Sequence, residues 1–570
     1  MGVRAADVIV EVLAEAGVKR CYGIPGDTLA HVTEAIRTSS IRFVHVRHEE
    51  AGAFATAAEA QLTGELAMCA GSCGPGSLHF INGIYEAHRN RAPVVLIASQ
   101  IVREELGVDF PQEVDFRAIY RPCSVFCEEV RTPDHAERMT VLAAQAALNK
   151  RGVAVLIVPA DVASGMTKRQ GLRVHHPETR LVPSDAELRR LAAVINQGSR
   201  VAIYGGSGCR EAHDQVVALA DLLKAPVAFA SRAKDFLSYD NPFAVGMTGV
   251  VGIRSGFKSV LECDTLVLLG CDFAWKQFYP DAAKIVQIDI DPTHLGRRHP
   301  VTVGAAGDIG PTLDALLPLL HAREDRSFLN RMIELRDETV EKLERPAKVA
   351  TGAPIHPQYM VETIARHAAD DAVWAVDDGS ATVWCLRHVP ATGKNRTLAS
   401  LLHGTMAAGL SSALGVKAAY PNRQVINLAG DGGLGMMMGE LLTVVQENLP
   451  IKIAVVNNGS LGFVELEQKV EGLLDCYTDL HNPDFGKVAT ACGIWGRRVE
   501  RAEDLEAAVA ECLAQPGPAL LDVAVGRFEL VIPPAAGLSQ AFGMALYSVR
   551  AVLAGRTGDL VGMVRQNLIA

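Results

Sequence analysis

The stretch VINLAGDGG, residues 425–433, decides the fold of the C-terminal half together with IKIAVVNN, residues 451–458. Each is an apolar run followed at once by turn residues, so that Asp431 follows the first run and Asn458 ends the second. Such runs are typical of buried parallel strands, and the segment between them, 434–448, has a helical pattern. Since the carboxyl ends of parallel strands meet at one edge of a sheet, Asp431 and Asn458 are predicted to face one crevice.

The chemistry that suits this crevice is the capture of a diphosphate through a hard divalent cation. Carboxylate, amide and backbone carbonyl oxygens are the ligands that such a cation prefers, and glycines let backbone N–H groups approach phosphates closely. A lone GDG is more often an ordinary turn, but two motifs in this order favour a metal site. The predicted metal ligands are Asp431, Asn458 and the backbone of Ser460, and the predicted phosphate contacts are Gly430, Gly432 and Gly433.

Strand-like and helical segments alternate along the rest of the chain as well. Extended segments at 41–46 and 93–99 flank a helical segment at 50–63, and the alternation continues beyond residue 200. This pattern is typical of doubly wound parallel sheets. The sequence predicts an α/β protein with three such domains and a short C-terminal helical tail. Their predicted limits are 1–180, 181–345, 346–530 and 531–570.

Composition excludes some classes of protein. A chain of 570 residues is long enough for three domains with separate cores, and its net charge of −10 argues against a nucleic-acid partner. No apolar stretch approaches the roughly 20 residues of a membrane span, and no signal peptide is recognisable. The 12 cysteines lack the spacing of a zinc site and lie in or near apolar sequence, which indicates reduced thiols. We therefore expect a cytoplasmic protein.

The two C-terminal motifs resemble the thiamin diphosphate signature, and the likeness extends along nearly the whole chain. The stretches that carry it are RHEE at 47–50, GSCGPG at 71–76, HGTM at 403–406 and IPP at 532–534. Together they are similar to the bacterial pyruvate:quinone oxidoreductases, which are FAD- and thiamin-dependent relatives of pyruvate oxidase and acetolactate synthase. The resemblance implies that the three domains bind the pyrimidine ring, FAD and the diphosphate, in that order.

The resemblance also implies the catalytic residues. Glu49 matches the carboxylate that bonds the pyrimidine ring of thiamin and drives its tautomer change, with Glu50 as the competing neighbour. Asp27 is either a polar group facing the substrate or a helix N-cap. Because Glu49 and Asp431 belong to different domains, which in relatives come from different subunits, we expect at least a homodimer and commonly a homotetramer.

Further cofactor contacts follow from the same resemblance. Gly404, Thr405 and Met406 resemble the segment that holds the pyrimidine ring, and Gly379 and Ser380 are expected to donate to the diphosphate. In the middle domain, three motifs resemble the FAD-binding segments of the oxidases: GMTGVVG at 246–252, LGCDF at 269–273 and QIDID at 287–291. The implied FAD contacts are Gly249, Val250, Val251, Gly252, Asp272, Asp289, Ile290 and Asp291.

The implied reaction is the oxidative decarboxylation of pyruvate to acetate and CO2, with electrons passing through FAD to a membrane quinone. Phe463 resembles the mobile aromatic residue between the two cofactors, although it could equally be core. An acetolactate synthase-like carboligase or a 2-keto acid decarboxylase, with a non-redox FAD, is the alternative. A non-catalytic scaffold is disfavoured because Glu49, Asp431 and Asn458 occur together.

The last 40 residues have two interpretations. Leu560, Val561, Val564, Leu568 and Ile569 recur at helical spacing in a tail whose side chains carry a net charge of +2. The tail is either a helix packed on its own domain or a reversible anchor to an anionic lipid surface. The resemblance favours the second interpretation and places the protein peripherally on the inner face of the cell membrane.

Two departures from the family pattern bear on the substrate. Relatives have Phe-Gln-Glu near the substrate pocket, whereas this chain has Pro111 in place of the Phe, with Phe110 one residue earlier. Asp378 stands before Gly379, where a small or apolar residue is usual. A negative charge near a diphosphate or a substrate carboxylate is unfavourable unless it is paired or turned away. A 2-keto acid other than pyruvate therefore stays open as the substrate.

Overall fold

Three parallel six-stranded sheets, each covered by helices on both faces, form the body of the protein. This computed structural model describes residues 2–529 and 538–567, without the side chains of 538–542, 565 and 566. The predicted α/β class with three doubly wound domains is confirmed. The domain limits at 180, 345 and 530 stay predictions.

The first sheet has the strand order β3-β2-β4-β5-β7-β6, and a short antiparallel pair, β1 and β8, joins the two ends of the domain. Its strands are β1 (Val3–Arg4), β2 (Arg20–Gly23), β3 (Arg42–His45), β4 (Ala67–Gly71), β5 (Val94–Gln100), β6 (Phe126–Glu129), β7 (Val153–Pro159) and β8 (Met166–Thr167). Its helices are α1 (Ala5–Glu15), α2 (Ala30–Arg37), α3 (Glu49–Thr63), α4 (Pro75–Leu78), α5 (Ile81–Arg89), α6 (Phe116–Tyr120), α7 (Ala136–Asn149) and α8 (Ala160–Ser164).

The middle sheet has the order β11-β10-β9-β12-β13-β14. Its strands are β9 (Val201–Gly205), β10 (Val227–Phe229), β11 (Ala244–Met247), β12 (Thr265–Leu269), β13 (Lys284–Asp289) and β14 (Val303–Ala306). Its helices are α9 (Asp185–Gln197), α10 (His213–Leu223), α11 (Lys234–Leu237), α12 (Arg254–Leu261), α13 (Ile309–Leu316) and α14 (Ser327–Glu344).

The third sheet has the order β16-β15-β17-β18-β20-β19. Its strands are β15 (Val373–Val376), β16 (Arg396–Leu398), β17 (Val425–Gly430), β18 (Lys452–Asn457), β19 (Trp495–Val499) and β20 (Ala519–Ala524). Its helices are α15 (Pro357–His367), α16 (Ser380–His388), α17 (Ala408–Ala419), α18 (Asp431–Met436), α19 (Leu441–Gln446), α20 (Gly462–Val470), α21 (Phe485–Ala491) and α22 (Leu505–Ala514).

The segment 434–448, predicted as one helix, is two. Helix α18 ends where Met437 adopts φ −121°, outside the helical region, and a 3-10 turn over Met438–Glu440 separates it from α19. The turn has a structural role, because the carboxylate of Glu440 accepts the backbone N–H groups of Arg47 (3.1 Å) and His48 (2.9 Å) at the start of α3. The break therefore joins the third domain to the first.

Two helices form the described part of the tail, α23 (Leu538–Leu553) and α24 (Thr557–Asn567). Leu560 packs inward against Tyr547 and Met563, whereas Val561 and Val564 are 66% and 60% exposed. The predicted apolar face is thus divided between the protein and the solvent side, while Leu568, Ile569 and the IPP motif at 532–534 lie outside the described residues. Within the described ranges, no helix combines the length and apolarity required to span a bilayer.

Candidate functional site

The two decisive motifs meet at the carboxyl edge of the third sheet. Strands β17 and β18 are neighbours, with Gly430 opposite Val456. The carboxylate of Asp431 accepts the backbone N–H of Gly459 at 2.8 Å and that of Gly432 at 3.0 Å. Asp431 and the loop that carries Asn458 therefore face one crevice, as the sequence predicts.

Asp431 is a buried carboxylate surrounded by neutral donors. Asp431 is only 3% exposed, and this burial raises the pKa of its carboxyl to about 6, although four hydrogen bonds act against the rise. Such a group is stabilised in its charged form by a nearby cation, so the site fits the predicted Mg2+. Among the described residues, no three His, Cys, Asp or Glu side chains cluster as metal ligands. The predicted donor set of one carboxylate, one amide and one backbone carbonyl stays a prediction.

Asn482 is a member of this site that the sequence did not reveal. Its amide nitrogen donates to the Asp431 carboxylate at 2.7 Å and to the side-chain oxygen of Asn457 at 3.1 Å. Asn457 in turn donates to Asp522 at 2.9 Å. Asn482 lies in an irregular loop before α21, where no periodicity or motif spacing marks it.

The neighbouring strand β15 supplies the predicted diphosphate donors. Gly379 has φ +115°, a conformation that side chains rarely adopt, and it precedes Ser380, the first residue of α16. A Cβ on Gly379 would meet no atom within 4 Å, so its backbone borders open space. Free N–H groups at a helix N-terminus attract phosphate. Ser380, Asn458 and Phe463 line one cleft together with Trp384.

The predicted pyrimidine segment, 404–406, lies against both other parts of the site. The terminal methyl of Met406 is 3.1 Å from where a Cβ on Gly432 would stand. Thr405 accepts a 3.2 Å hydrogen bond from Asn82 of the first domain. Gly404 has φ +72°, and Ala407 has φ +71°, which is strained for a residue with a Cβ. The segment is thus held in a special backbone conformation beside the GDGG motif.

Glu49 and Glu50 have different surroundings. Glu49 begins α3, and its carboxylate is 3.0 Å from Nδ1 of His79 and next to Gly76 of the glycine loop. Glu50 accepts a 2.6 Å hydrogen bond from Asn82, the residue that also contacts Thr405. Both carboxylates thus have a partner within the first domain, and only Glu49 also lies next to the glycine loop.

Asp27 lies on the same edge of the first sheet but does not cap a helix. Its carboxylate accepts the backbone N–H of Thr28 at 2.7 Å and the hydroxyl of Ser72 at 3.1 Å. The N-cap residue of α2 is Leu29, without a side-chain cap, so the helix-cap interpretation of Asp27 is wrong. Next to Ser72, the buried thiol of Cys73 donates to the side chain of Gln112 at 3.2 Å.

Among the described residues, no hydrogen bond or ion pair joins Glu49 directly to Asp431; Glu49 pairs with His79, and Asp431 is hydrogen-bonded to Gly459 and Asn482. Large apolar side chains beside both predicted half-sites are exposed to solvent. Leu78 next to the glycine loop, Leu402 next to the pyrimidine segment and Met436 in α18 are 36%, 46% and 62% exposed.

The predicted FAD residues gather at the carboxyl edge of the middle sheet. The loop 249–252 follows β11, Asp272 follows β12, and Asp289 ends β13, with Ile290 and Asp291 beyond. The hydroxyl of Thr248, a residue 1% exposed at the start of the loop, has no hydrogen-bond partner among the described residues. A buried hydroxyl without a partner fits a polar ligand at this loop.

The acidic residues of this edge are differently engaged. Asp272 pairs with Arg297 and, at 2.9 Å, with Nε of Arg298. Asp289 accepts the backbone N–H of Asp291 at 3.0 Å, and burial raises its pKa. Ile290 is exposed. Asp289 also lies 3.2 Å from Nδ1 of His294, so both acidic residues already have basic or backbone partners.

Two acidic side chains flank the thiamin half-site. Burial raises the pKa of Asp378, and Asp378 in turn helps to raise the pKa of Glu467 in α20, whose first cause is burial. The negative charge of Asp378 thus contributes to the raised pKa of Glu467.

Comparison with known proteins agrees with this geometry. Three family models match: thiamine pyrophosphate enzyme N-terminal TPP binding domain at residues 3–119, central domain at 188–316 and C-terminal TPP binding domain at 377–523. A Bacillus subtilis protein, YdaP, whose name describes it as thiamine pyrophosphate-containing, is 35% identical over 96% of both chains. The chain belongs to the thiamine pyrophosphate-dependent enzymes, in the group of pyruvate oxidase and acetolactate synthase.

Relatives with named activities are more distant. The pyruvate oxidase of Lactiplantibacillus plantarum is 29% identical, with 91% of this chain and 88% of that protein covered. The large subunit of acetolactate synthase isozyme 2 of Escherichia coli is also 29% identical, with 94% and 98% covered. Sequence identity therefore does not separate the oxidase from the carboligase.

Proposed function

We propose that this protein oxidatively decarboxylates pyruvate, using thiamin diphosphate, Mg2+ and FAD, and passes the electrons to a membrane quinone. Pyruvate, water and quinone give acetate, CO2 and quinol. The observation that carries the proposal is the buried Asp431, which accepts the backbone N–H of Gly459 next to Asn458, together with the cleft that Asn458 lines with Ser380 and Phe463. The unpartnered hydroxyl of Thr248 beside the loop 249–252 supports a bound flavin.

Each residue of the proposed site has a separate role in binding the cofactors. Asp431, Asn458 and the carbonyl of Ser460 hold Mg2+, while Gly379 and Ser380 bind the diphosphate. Thiamin diphosphate held there would supply nucleophilic and electron-sink chemistry for the decarboxylation, and FAD would supply a two-electron acceptor.

Glu49 and Phe463 complete the proposed site. Glu49, buried and 3.0 Å from His79, holds a proton at the pyrimidine ring. Phe463 packs at the rim of the third-domain core and shields the reacting centre from water.

A second copy of the chain completes the proposed site. The cofactor must bridge a first domain and a third domain, and the exposed Leu78, Leu402 and Met436 offer the apolar surface for a partner subunit. We propose a homodimer as the minimum and a homotetramer as the assembly. Sedimentation velocity would show a single species of at least twice the monomer mass of 60.9 kDa, and a stable monomer would contradict this part.

The exposed apolar residues of the two tail helices support the proposed binding to a membrane. Val552, Leu553, Val561 and Val564 are more than half exposed in the described helices. Such a face can insert into an anionic lipid surface, at the inner face of the cell membrane. Co-sedimentation with phosphatidylglycerol vesicles should fall for Leu553→Asp, and equal binding by variant and wild type would contradict it.

A carboligase is the second candidate, because the similarity to acetolactate synthases is as high as that to a pyruvate oxidase. In that case FAD would not change its redox state, and two 2-keto acids would be joined. The two candidates differ in whether an electron acceptor is required.

Product analysis tests the proposal. Purified enzyme with thiamin diphosphate, Mg2+, FAD and pyruvate, under argon, should form acetate and CO2 in step with an added soluble quinone. Glu49→Gln should slow CO2 release by about 100-fold or more, since a general acid–base group contributes that much. Glu50→Gln is the matched control and should stay near wild type. Acetolactate or acetaldehyde formed without quinone would overturn the proposal in favour of a carboligase or a simple decarboxylase.

A further inference from the structure

Helix α16 is shared by the two candidate cofactor domains. Its first residue, Ser380, lines the cleft of the thiamin half-site. Trp384 and Cys385, in its middle, belong to the core of the third domain, whereas Leu386 belongs to the core of the middle domain. A rigid element of nine residues therefore runs from one site into the other domain.

At its far end, α16 holds the loop predicted to bind FAD. The guanidinium of Arg387 donates through Nε to the carbonyl of Val251 at 3.2 Å and through a terminal nitrogen to the carbonyl of Gly252 at 3.1 Å. The side chain of Val251 also packs on the cores of both domains. The loop is thus fixed by a residue of the third domain.

The loop has a conformation that needs such a support. Gly249 has φ +99°, and a Cβ on Gly252 would be 2.6 Å from the carbonyl oxygen of Met247, so the backbone turns back sharply. Glycines lose much conformational freedom on ordering. Arg387 carries a planar guanidinium whose rigidly placed donors bond these two adjacent carbonyls at once.

We propose that Arg387 is a positioning residue that couples the two sites: occupation of the diphosphate site at the start of α16 orders the flavin loop at its end. This rests on the proposed function. A phosphate at the N-terminus of α16 stabilises the helix and fixes its direction. The loop then loses less conformational entropy when FAD binds, so that each cofactor increases the affinity for the other, which is positive cooperativity.

The test is the affinity of the full-length chain, freed of flavin, for FAD with and without thiamin diphosphate and Mg2+, read from the quenching of flavin fluorescence. In the wild type, thiamin diphosphate should tighten FAD binding by about tenfold, within the usual range of coupling. In Arg387→Met the factor should fall close to one and FAD should bind more weakly. FAD should tighten thiamin diphosphate by the same factor in the wild type.

Arg336→Met is the matched control, because Arg336 of α14 also donates to a backbone carbonyl, that of Ala244 at 2.8 Å, but within the middle domain. It should keep the wild-type factor. If Arg387→Met does not fold, as judged by circular dichroism, the binding measurements are repeated on Arg387→Leu, which also lacks the two donors.

The outcomes separate this inference from the proposed function. A folded Arg387 variant with the wild-type factor, or a wild type that binds both cofactors independently, overturns the inference alone. A wild type that binds no FAD overturns the flavin part of the proposed function and the inference with it.

Discussion

The amide of Asn482 donates to the carboxylate of Asp431 at 2.7 Å across a sequence separation of 51 residues. The contact favours the charged form of Asp431, because this hydrogen bond lowers the pKa of the carboxyl, and it fixes the direction of its oxygens. Partners that orient a metal ligand typically contribute 10- to 100-fold to metal affinity.

Asn482→Ala should therefore weaken Mg2+-dependent binding of thiamin diphosphate by about 10- to 100-fold, as measured by calorimetry at varied Mg2+. Asn330→Ala, on the exposed side of α14, is the control and should bind as the wild type does. Unchanged affinity in Asn482→Ala would show that Asp431 is oriented without it.

Gly433 allows no side chain, because a Cβ there would stand 1.4 Å from a carboxylate oxygen of the buried Asp377. Gly433→Ala should lower the free energy of unfolding by about 1–3 kcal/mol, the usual cost of overpacking, and should reduce thiamin diphosphate binding. Gly435→Ala is the matched control in the same helix, since its Cβ would meet nothing within 4 Å. A Gly433→Ala protein as stable as Gly435→Ala in urea unfolding would contradict the packing described here.

The tail depends on a close contact between α23 and α20. A Cβ on Gly543 would be 1.7 Å from the carbonyl oxygen of Val470, and the ammonium of Lys469 lies 5.2 Å from the ring of Tyr547. Gly543→Ala should push the helices apart and speed amide hydrogen exchange in both. Gly558→Ala, in open surroundings in α24, should leave exchange unchanged. Equal exchange in the two variants would mean that α23 is held elsewhere.

His388, at the end of α16, makes stability depend on pH. Burial, and then the neighbouring Arg387, lower its pKa from 6.5 to about 4, and its Nε2 has no partner among the described residues. The unfolded chain binds this proton first, so its contribution is fully present above pH 6.5 and is lost as the pH falls toward 4. At pH 5 the loss is about 2 kcal/mol.

His388→Gln cannot take up this proton. Urea unfolding of wild type and variant at pH 7.5 and pH 5 isolates the histidine, because all other titrating groups are common to both. The wild type should lose about 2 kcal/mol more than the variant between the two pH values. Parallel losses would show that the ring is protonated in the folded protein.

The sequence predicted the strands of the site well because their apolar runs end abruptly. Residues 425–429 and 451–456 became Val425–Gly430 and Lys452–Asn457. The prediction of one continuous helix between them was wrong. Helical periodicity continues through Met437 in the sequence, but the backbone leaves the helical conformation there, and the next turn brings Glu440 to the start of α3. That constraint is tertiary and leaves no local pattern.

The long-range contacts of the site likewise could not be predicted from the sequence. Asn482 reaches Asp431 from an irregular loop, and Arg387 lies on a buried helix whose apolar pattern hides its contact with Gly252. Asp378 was noticed as a departure from the family, and its neighbour Glu467 became apparent only from the fold. The tail helices were expected, but the division between inward Leu560 and outward Val561 was not.

The most direct test of the proposed function is the absorbance of the bound flavin when the enzyme, with thiamin diphosphate and Mg2+, is mixed with pyruvate in the absence of oxygen. We predict that the oxidised flavin band bleaches on pyruvate and returns when a soluble quinone is added, with acetate formed. A bound flavin that stays oxidised while CO2 is released would contradict the oxidoreductase and leave a carboligase or decarboxylase.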